Sequence, residues 1–252
     1  MKVRGFTLIE MVITMLVGSI LVLGIAGFVE LGSKGYAQSI DRQRVQTQAK
    51  FALEKMTREA RYATPNIFVD YAGQDCIAFF PIIDSGFYAV SGSDINFIVG
   101  DVSASVSSLN DKRLIINPTE MLSPDQRLDV LDNSFDLVDM VKISGSSVSG
   151  ATFSIPGKAS ELVGGSVANR LYITANNKRI SYCVGGDRIT RDVGFSDSPR
   201  PLTDASEMSV SGKVSYTPAS VQHNGVVHID LSFAQRGEVT SFRQDVQVLN
   251  VP

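Results

Sequence analysis

The first thirty positions of the chain contain one long apolar block. The run FTLIEMVITMLVGSILVLGIAGFV covers 24 residues from Phe6 to Val29, and Glu10 is its only ionisable residue. About 20 consecutive apolar residues are enough to cross the hydrocarbon core of a bilayer as a helix. The pattern therefore predicts a membrane-spanning helix near the N-terminus, with one carboxylate inside it.

The helical pattern continues beyond this block, because no proline occurs before Pro65. Apolar residues recur every three or four positions, as in an amphipathic helix, at Ile40, Val45, Ala49, Ala52, Leu53, Met56 and Ala60. The other face is filled by Asp41, Arg42, Arg44, Lys50, Glu54, Arg58 and Arg61. We predict one helix from Phe6 to Tyr62, weakest at Gly32-Ser33-Lys34-Gly35 and ended by Thr64-Pro65.

From Asn66 onward, the apolar positions recur with a period of two, which is typical of strands. Short strands are predicted at Asp75–Phe80, Ile95–Val99, Arg113–Ile116 and Ala151–Ile155. Ser123-Pro124-Asp125-Gln126 predicts the capped start of a short helix that reaches about Leu131.

Two hairpins are predicted towards the C-terminus. The first joins Arg179–Val184 to Asp187–Val193 through a turn at Gly185-Gly186. The second has apolar residues at alternate positions from Val227 to Phe233, turns at 235–238 and returns along Val239–Leu249 with Phe242, Val246 and Val248 on one face. An antiparallel sheet with one buried side, packed on a long helix, makes an α+β domain.

Three interpretations of the first thirty residues compete. A secretory signal peptide has an apolar core of about 7–15 residues and a small-residue cleavage site, neither of which is found here. A plain signal anchor fits the basic residues Lys2 and Arg4 before the apolar run. It does not explain Glu10, because a carboxylate inside a spanning helix costs about 2.5–3.5 kcal/mol on insertion scales.

The third interpretation explains both features. Lys2-Val3-Arg4-Gly5 followed by Phe6-Thr7-Leu8-Ile9-Glu10 resembles the class III signal of type IV prepilins. In that family, prepilin peptidase cuts after the glycine and methylates the new N-terminal phenylalanine. The resemblance implies cleavage between Gly5 and Phe6, N-methylation of Phe6, and an apolar helix that stays with the mature protein.

The spacing gives Glu10 a role within this resemblance. Cleavage would leave a positive amine on Phe6, one helical turn before Glu10. In a filament packed from such helices, the amine and carboxylate of neighbouring subunits would pair, which offsets most of the cost of burying either charge alone. The alternative is that Glu10 extends towards the lipid headgroups.

The likeness extends to the larger minor pilins. The segment Ile180-Ser181-Tyr182-Cys183-Val184-Gly185-Gly186 and the end Val246-Gln247-Val248-Leu249-Asn250-Val251-Pro252 are most similar to the MshO subunits of mannose-sensitive haemagglutinin (MSHA) pili. They are also similar to PilW-type minor pilins and J-type secretion pseudopilins. The type IV pilin fold then implies a leader at 1–5, a transmembrane and filament-core helix at 6–29, its amphipathic second half at 30–63, and a periplasmic β-rich domain at 64–252. The stretch from Gly86 to Val167 resembles no family.

The same likeness places Cys183 on a strand of the main sheet. Cys76 and Cys183 are the only cysteines, and both lie in the part that would be exported to an oxidising compartment. We predict a disulfide that ties the start of the domain to the sheet, with Cys183 pointing away from the face of Ile180, Tyr182 and Val184 towards a separate element. Two buried thiols are the alternative.

Composition and charge narrow the function classes. The net charge of −3, from 23 Lys+Arg and 26 Asp+Glu, does not favour a nucleic-acid binder. Two His and two Cys rule out most metal clusters, because a zinc site normally needs four close ligands, and the chain has no P-loop, GxGxxG or HExxH motif. His223 and His228 are predicted to be surface residues, and the run Asp129, Asp132, Asp136 and Asp139 lacks the spacing of a calcium loop. We predict no enzyme, no catalytic residue, no metal and no cofactor.

The sequence therefore predicts a minor type IV pilin, inserted in the inner membrane with its C-terminal domain in the periplasm and later carried on a surface pilus. Expected partners are prepilin peptidase, the major pilin, other minor pilins, the inner-membrane assembly platform and, before assembly, membrane lipid. The alternative within the same machinery is a J-type minor pseudopilin of type II secretion. A membrane-anchored periplasmic binding protein or enzyme is the alternative from a different class.

Overall fold

The computed structural model describes residues 5–69, 71, 73–143, 151–166, 168–195, 198–220 and 223–248. The chain divides into two compact units, residues 1–47 and 48–252. The helices are α1 (Leu8–Arg61) and α2 (Val106–Leu109). The strands are β1 (Ala63–Val69), β2 (Cys76–Pro81), β3 (Asp84–Ser91), β4 (Asp94–Val99), β5 (Arg113–Ile116), β6 (Ser134–Asp136), β7 (Val141–Ile143), β8 (Thr152–Ile155), β9 (Arg170–Thr174), β10 (Ile180–Gly185), β11 (Arg188–Val193), β12 (Arg200–Pro201), β13 (Ser209–Thr217), β14 (Gly225–Gln235) and β15 (Glu238–Val248).

Helix α1 is continuous over 54 residues, and each of its ends lies within two residues of the predicted end. The helix passes through the predicted weak point at Gly32–Gly35 without a break, and the lower stability of this segment stays a prediction. Extending an existing helix costs far less than starting one, and Lys34 pairs with Glu30 one turn earlier, with Nζ and Oε1 2.6 Å apart.

The part of α1 after Gln48 is amphipathic, as the spacing predicts. Its buried face consists of Ala49, Ala52, Leu53, Met56 and Ala60. Ile40, which was assigned to the same stripe, is instead 40% exposed.

A five-stranded antiparallel sheet follows the helix, with strand order β1-β2-β10-β11-β12. Pro65 lies in β1, which is an edge strand of this sheet. Proline has no backbone N–H, and an edge strand tolerates this because one of its sides has no neighbouring strand to bond. The hairpin of β10 and β11 is confirmed, but its turn is displaced by one residue. Gly185 pairs with Arg188, so the two turn residues are Gly186 and Asp187, with φ of 59° and 61°. A type I′ turn requires positive φ at both of these positions, and Asp adopts this conformation readily in such turns, as Gly does.

The middle of the chain, which resembles no family in its sequence, forms an inserted seven-stranded sheet. It is antiparallel, with strand order β6-β5-β9-β3-β4-β8-β7. One face covers its own hydrophobic core, which includes Tyr88, Phe97, Phe153, Leu171 and Ile173. The insertion leaves the five-stranded sheet after β2 and returns before β10, and these two strands are hydrogen-bonded neighbours.

A second cluster of buried residues draws on both sheets. It contains Ile67 and Phe80 of the five-stranded sheet, Ile115 of β5, and Leu128 and Leu131 of a connecting loop. The predicted helix from Ser123 to Leu131 is wrong, because only a 3-10 turn forms at Leu128–Val130. The Ser123 N–H does bond Gln126 Oε1 at 2.7 Å, as in a helix cap. The Leu128 N–H, however, donates to Asn176 Oδ1, and packing of the two leucines in the cluster takes precedence over helix propagation.

The last strands form a three-stranded sheet with order β13-β14-β15. The alternation in β14 is confirmed, with Val227, Ile229, Leu231 and Phe233 all buried. Gln235 pairs with Glu238, so the predicted turn at 235–238 is correct; Leu249 lies outside the described residues. The architecture is α+β, a long N-terminal apolar helix followed by antiparallel sheets, and this layout fits the type IV pilin fold.

Candidate functional site: the N-terminal motif and its helix

The segment just before α1 is open around the proposed scissile bond. Gly5 and Phe6 are both exposed, Phe6 to 75%. A side chain added at Gly5 would meet no atom within 4 Å. Helical hydrogen bonding starts with the Thr7 carbonyl, which accepts from the Met11 N–H at 3.2 Å. The peptide bond between Gly5 and Phe6 thus precedes the first helical turn, while Lys2 and Arg4 lie outside the described residues.

Glu10 lies in the first turn of α1, where the helix dipole favours a negative charge. Its carboxylate is exposed, and the Thr7 hydroxyl lies 3.4 Å from Oε2. Within the part of the chain that the structure describes, Glu10 has no ion pair with a cation. The motif therefore presents a carboxylate on the surface of an otherwise apolar helix.

The helix behind Glu10 is apolar all round. Its most apolar 18-residue window has a mean hydropathy of 2.5, and none of that window is buried, so α1 is long and apolar enough to cross a membrane. Every large apolar side chain from Phe6 to Leu31 is exposed, including Leu8 at 84% and Phe28 at 80%. An apolar surface of this extent is stable in lipid or against other apolar helices, and not in water.

Sequence reasoning missed a half-buried ionic network on the same helix. Both oxygens of the Glu59 carboxylate accept hydrogen bonds from Arg191 at 3.0 Å, and the Tyr182 hydroxyl donates to Oε2 at 2.5 Å. Lys55 Nζ lies 3.2 Å from Oε1. One signal was present in the sequence, since Glu59 follows Met56 by three positions and so falls on the apolar face of α1.

The network sets the protonation state of its members. Burial alone would raise the pKa of Glu59, but the hydrogen bonds from Arg191 and Tyr182 outweigh it and lower the pKa below the ordinary value. Burial and the neighbouring carboxylate both raise the pKa of Tyr182. Glu59 is therefore ionised and Tyr182 neutral at neutral pH. The hydrogen bonds of the ionised carboxylate hold the C-terminal end of α1 against β10 and β11.

Cys76 and Cys183 form a disulfide with a Cα–Cα distance of 4.1 Å. The expected geometry differs in one respect. Cys183 was expected to reach a separate element, whereas it faces Cys76 directly across the β2–β10 pair within one sheet. The two strands are sequence-distant neighbours because the insertion lies between them, and this pairing was not readable from local patterns.

The histidine on the polar face of β14 joins a cross-strand group. His228 Nδ1 lies 2.7 Å from Asp245 Oδ1, and Nε2 lies 3.1 Å from Thr217 Oγ1. The side chains of His228 and Asp245 are 43% and 62% exposed, so this group sits on an open sheet face without exclusion of water. Among the described residues, no group of three or more His, Cys, Asp or Glu is arranged to hold a metal ion.

Comparison with known proteins adds one match. The model of the prokaryotic N-terminal methylation motif matches residues 1–26. No curated protein and no solved structure matches the chain. The motif implies processing by prepilin peptidase and assembly with other pilins, and it fits a membrane-anchored protein. Together with the exposed apolar helix, it supports a structural protein of the type IV pilin or pseudopilin kind.

Proposed function

We propose that this protein is a minor type IV pilin, cleaved between Gly5 and Phe6 and N-methylated at Phe6. The observation that carries the proposal is that the matched methylation motif, residues 1–26, coincides with an apolar stretch of α1 whose large side chains are all exposed as far as Leu31. A secretory signal peptide would be removed with its apolar core, whereas a prepilin keeps this helix as the part that assembles.

Glu10 is proposed as the assembly residue. Its carboxylate is exposed on the helix, so a neighbouring subunit can reach it. The methylated amine of Phe6 from that neighbour carries the complementary charge. In an apolar filament core, each charge alone is costly and the pair offsets most of that cost.

The proposed organisation follows from the processing site. Residues 1–5 are the leader, 6–29 span the membrane and later form the filament core, 30–63 form the amphipathic second half of the helix, and 64–252 form the periplasmic domain. The leader is on the cytoplasmic side, which agrees with the basic residues Lys2 and Arg4 preceding the apolar run. Before assembly the helix contacts membrane lipid, and the inner-membrane assembly platform then transfers it into the pilus with the major pilin and other minor pilins.

Among pilus types, we propose an MSHA-type pilus and an MshO-like subunit that acts in assembly, initiation or tip display. This choice rests on the resemblance of the segment from Ile180 to Gly186 to the MshO subunits. A J-type pseudopilin of type II secretion is the alternative.

Location in the cell tests the function. An epitope-tagged full chain expressed in its own host should be found in sheared surface filaments, in small amounts relative to the major pilin. The matched control is Gly5→Val, which blocks the cleavage site and should remain in the membrane. Absence from filaments, together with a loss of protein secretion when the gene is deleted, would favour the pseudopilin.

A further inference from the structure

Strand β15 forms one edge of the three-stranded sheet. It pairs with β14 along its whole length and without a bulge, and no other strand pairs with it in the described part of the chain. The strand contains neither Pro nor Lys, the residues with which proteins commonly block such an edge. Its outer side is therefore a continuous template for another strand.

The hairpin turn decides which backbone groups of β15 face this outer side. The two turn residues, Arg236 and Gly237, both have positive φ, as in a type I′ turn. The pair that flanks such a turn, here Gln235 and Glu238, is hydrogen-bonded. Bonded and non-bonded pairs alternate along an antiparallel ladder. The N–H and C=O groups that point away from β14 therefore belong to Val239, Ser241, Arg243, Asp245 and Gln247.

Two of these residues carry opposite charges on the polar face of the sheet. Arg243 donates from Nε and Nη2 to Asp230, and Asp245 Oδ1 lies 2.7 Å from His228 Nδ1. The side chains of Arg243 and Asp245 are 81% and 62% exposed. Among the described residues, Nη1 of Arg243 and Oδ2 of Asp245 have no hydrogen-bond partner. Each side chain can thus take one further partner of opposite charge.

We propose that β15 pairs with β15 of a second copy of this chain, antiparallel and about a two-fold axis at Gln244. In this register, Arg243 of each copy lies opposite Asp245 of the other, so both charges are paired. An axis at Arg243 or at Asp245 would set two like charges opposite each other. An axis at Phe242 would set Arg243 opposite Ser241 and leave the charges unpaired. The contact is self-complementary and closed, as a two-fold interface requires.

The same register matches residues on the inner face of the sheet. It sets Phe242 opposite Val246 of the second copy, and an aromatic residue beside a β-branched one is a favourable cross-strand pair. Phe242 is only half-buried within its own subunit, where it packs edge-on against Phe233 with the ring centroids 5.8 Å apart. Backbone hydrogen bonds would supply most of the affinity, and the charge pairs would fix the register.

Disulfide trapping of the full chain tests the pairing. Cys76 and Cys183 are bonded to each other, so an introduced cysteine is the only free thiol. Gln244→Cys places this thiol on the two-fold axis, in a non-hydrogen-bonded pair whose Cα atoms are about 4.5 Å apart, within reach of a disulfide. Thr240→Cys is the matched control on the same strand and face. Its two copies would lie about 27 Å apart, at 3.4 Å per residue.

The cysteines are oxidised with copper phenanthroline in membranes of the host that expresses the tagged chain, and dimers are measured by non-reducing electrophoresis. Gln244→Cys should give at least about tenfold more cross-linked dimer than Thr240→Cys. Equal cross-linking of the two variants would overturn the proposal. A cross-linked band that contains a different protein would also overturn it, because the edge would then bind another chain.

A second variant blocks the edge without touching the β14–β15 ladder. The Ser241 N–H points away from β14, so Ser241→Pro in the Gln244→Cys background removes a donor on the outer side alone. The cross-linked fraction should fall at least about fivefold. An unchanged fraction would contradict the pairing. The unfolding midpoint is measured alongside, and Arg243→Gln, which removes the charge pair, decides the question if Ser241→Pro does not fold.

Arg188→Gln is the control for Arg243→Gln, because Arg188 is an exposed arginine on β11, in another sheet, and its loss should leave cross-linking unchanged. Gly5→Val in the Gln244→Cys background should cross-link as its parent does, since the edge of β15 does not depend on N-terminal processing. Failure of the pairing therefore leaves the pilin proposal unaffected.

Discussion

Two glutamates on α1 have opposite surroundings. Glu59 is held by Arg191, Tyr182 and Lys55 inside the second unit, and its side chain is 17% exposed. Glu10 is exposed, with the Thr7 hydroxyl as its nearest hydrogen-bonding group in the described part of the chain. The first carboxylate completes the fold of one subunit. The second is exposed, as the proposed pairing with a neighbouring subunit requires.

Replacing Glu10 with leucine should separate cleavage from assembly. Cleavage should be unchanged, because the proposed cleavage site is the bond between Gly5 and Phe6. Incorporation into filaments should fall steeply, since the neighbouring amine would be buried without a counter-charge, at a cost of roughly 3–5 kcal/mol. Immunoblots of sheared filaments and of membranes measure both quantities.

Glu30→Gln is the matched control for that variant. Glu30 is also on α1, but it forms only an exposed pair with Lys34, which contributes little. Its incorporation should equal that of the wild type. Normal incorporation of Glu10→Leu would show that the pairing does not operate in this subunit.

Glu59→Gln should destabilise the domain at neutral pH by about 1–3 kcal/mol, because Arg191 and Tyr182 lose a charged partner. The folded-state pKa of Glu59 is lowered, so its contribution is complete above the unfolded-state pKa and is lost as the pH falls through the folded value. The stability gap between wild type and variant should therefore close in acid, below about pH 4.

Denaturant unfolding of both proteins over a pH series measures this gap. Glu54→Gln serves as the control, since Glu54 is on the exposed side of the same helix, and it should change stability by less than about 0.5 kcal/mol. A gap that stays constant with pH would show that the ionised state of Glu59 is not what stabilises the domain.

At the scale of elements, the spacing of apolar residues predicted helices and strands correctly where local sequence decides the structure. The ends of α1 and of the four short strands were predicted to within two residues. The alternation of buried and outward residues in β14 was also predicted correctly. The prediction failed where distant contacts decide. The helix after Ser123 is replaced by a 3-10 turn because Leu128 packs between the sheets, and Glu59 gains its role only through strands 120 residues or more away in the sequence.

Gly86→Ala tests the strand approach in the inserted sheet. The added Cβ would overlap the backbone of β4, so β3 and β4 must separate, at a cost of about 1–3 kcal/mol or more. Gly185→Ala is the matched control, because Gly185 is also in a strand but its Cβ would meet no atom within 4 Å. In thermal unfolding, the midpoint of Gly86→Ala should be lower than that of the wild type, and the midpoint of Gly185→Ala should not. Equal midpoints would mean that the strands can adjust.

At the scale of the whole molecule, the organisation that the sequence did not reveal is a sheet inserted between two paired strands. No local signal marks it, because its strands have the same period and turn residues as those of the main sheet. The disulfide lies on these same paired strands, β2 and β10, and closes a loop of 107 residues that contains the entire insertion. It therefore holds the base of the insertion together.

Replacing both cysteines with serine should lower the stability of the second unit by up to about 4.7 kcal/mol, the chain-entropy value for a loop of about 100 residues. Denaturant unfolding of the double variant against oxidised and reduced wild type measures the loss, and the reduced wild type should match the variant. Alkylation of the unreduced, denatured wild type should label no cysteine. Two labelled cysteines would contradict the bridge.

The central claim is that the apolar helix is kept and its leader removed, and mass spectrometry of the membrane-extracted protein tests it most directly. The account predicts a chain of 247 residues that begins at N-methylated Phe6, with the net charge lowered from −3 to −5 by loss of Lys2 and Arg4. An intact Met1, or a new N-terminus beyond Val29, would contradict it.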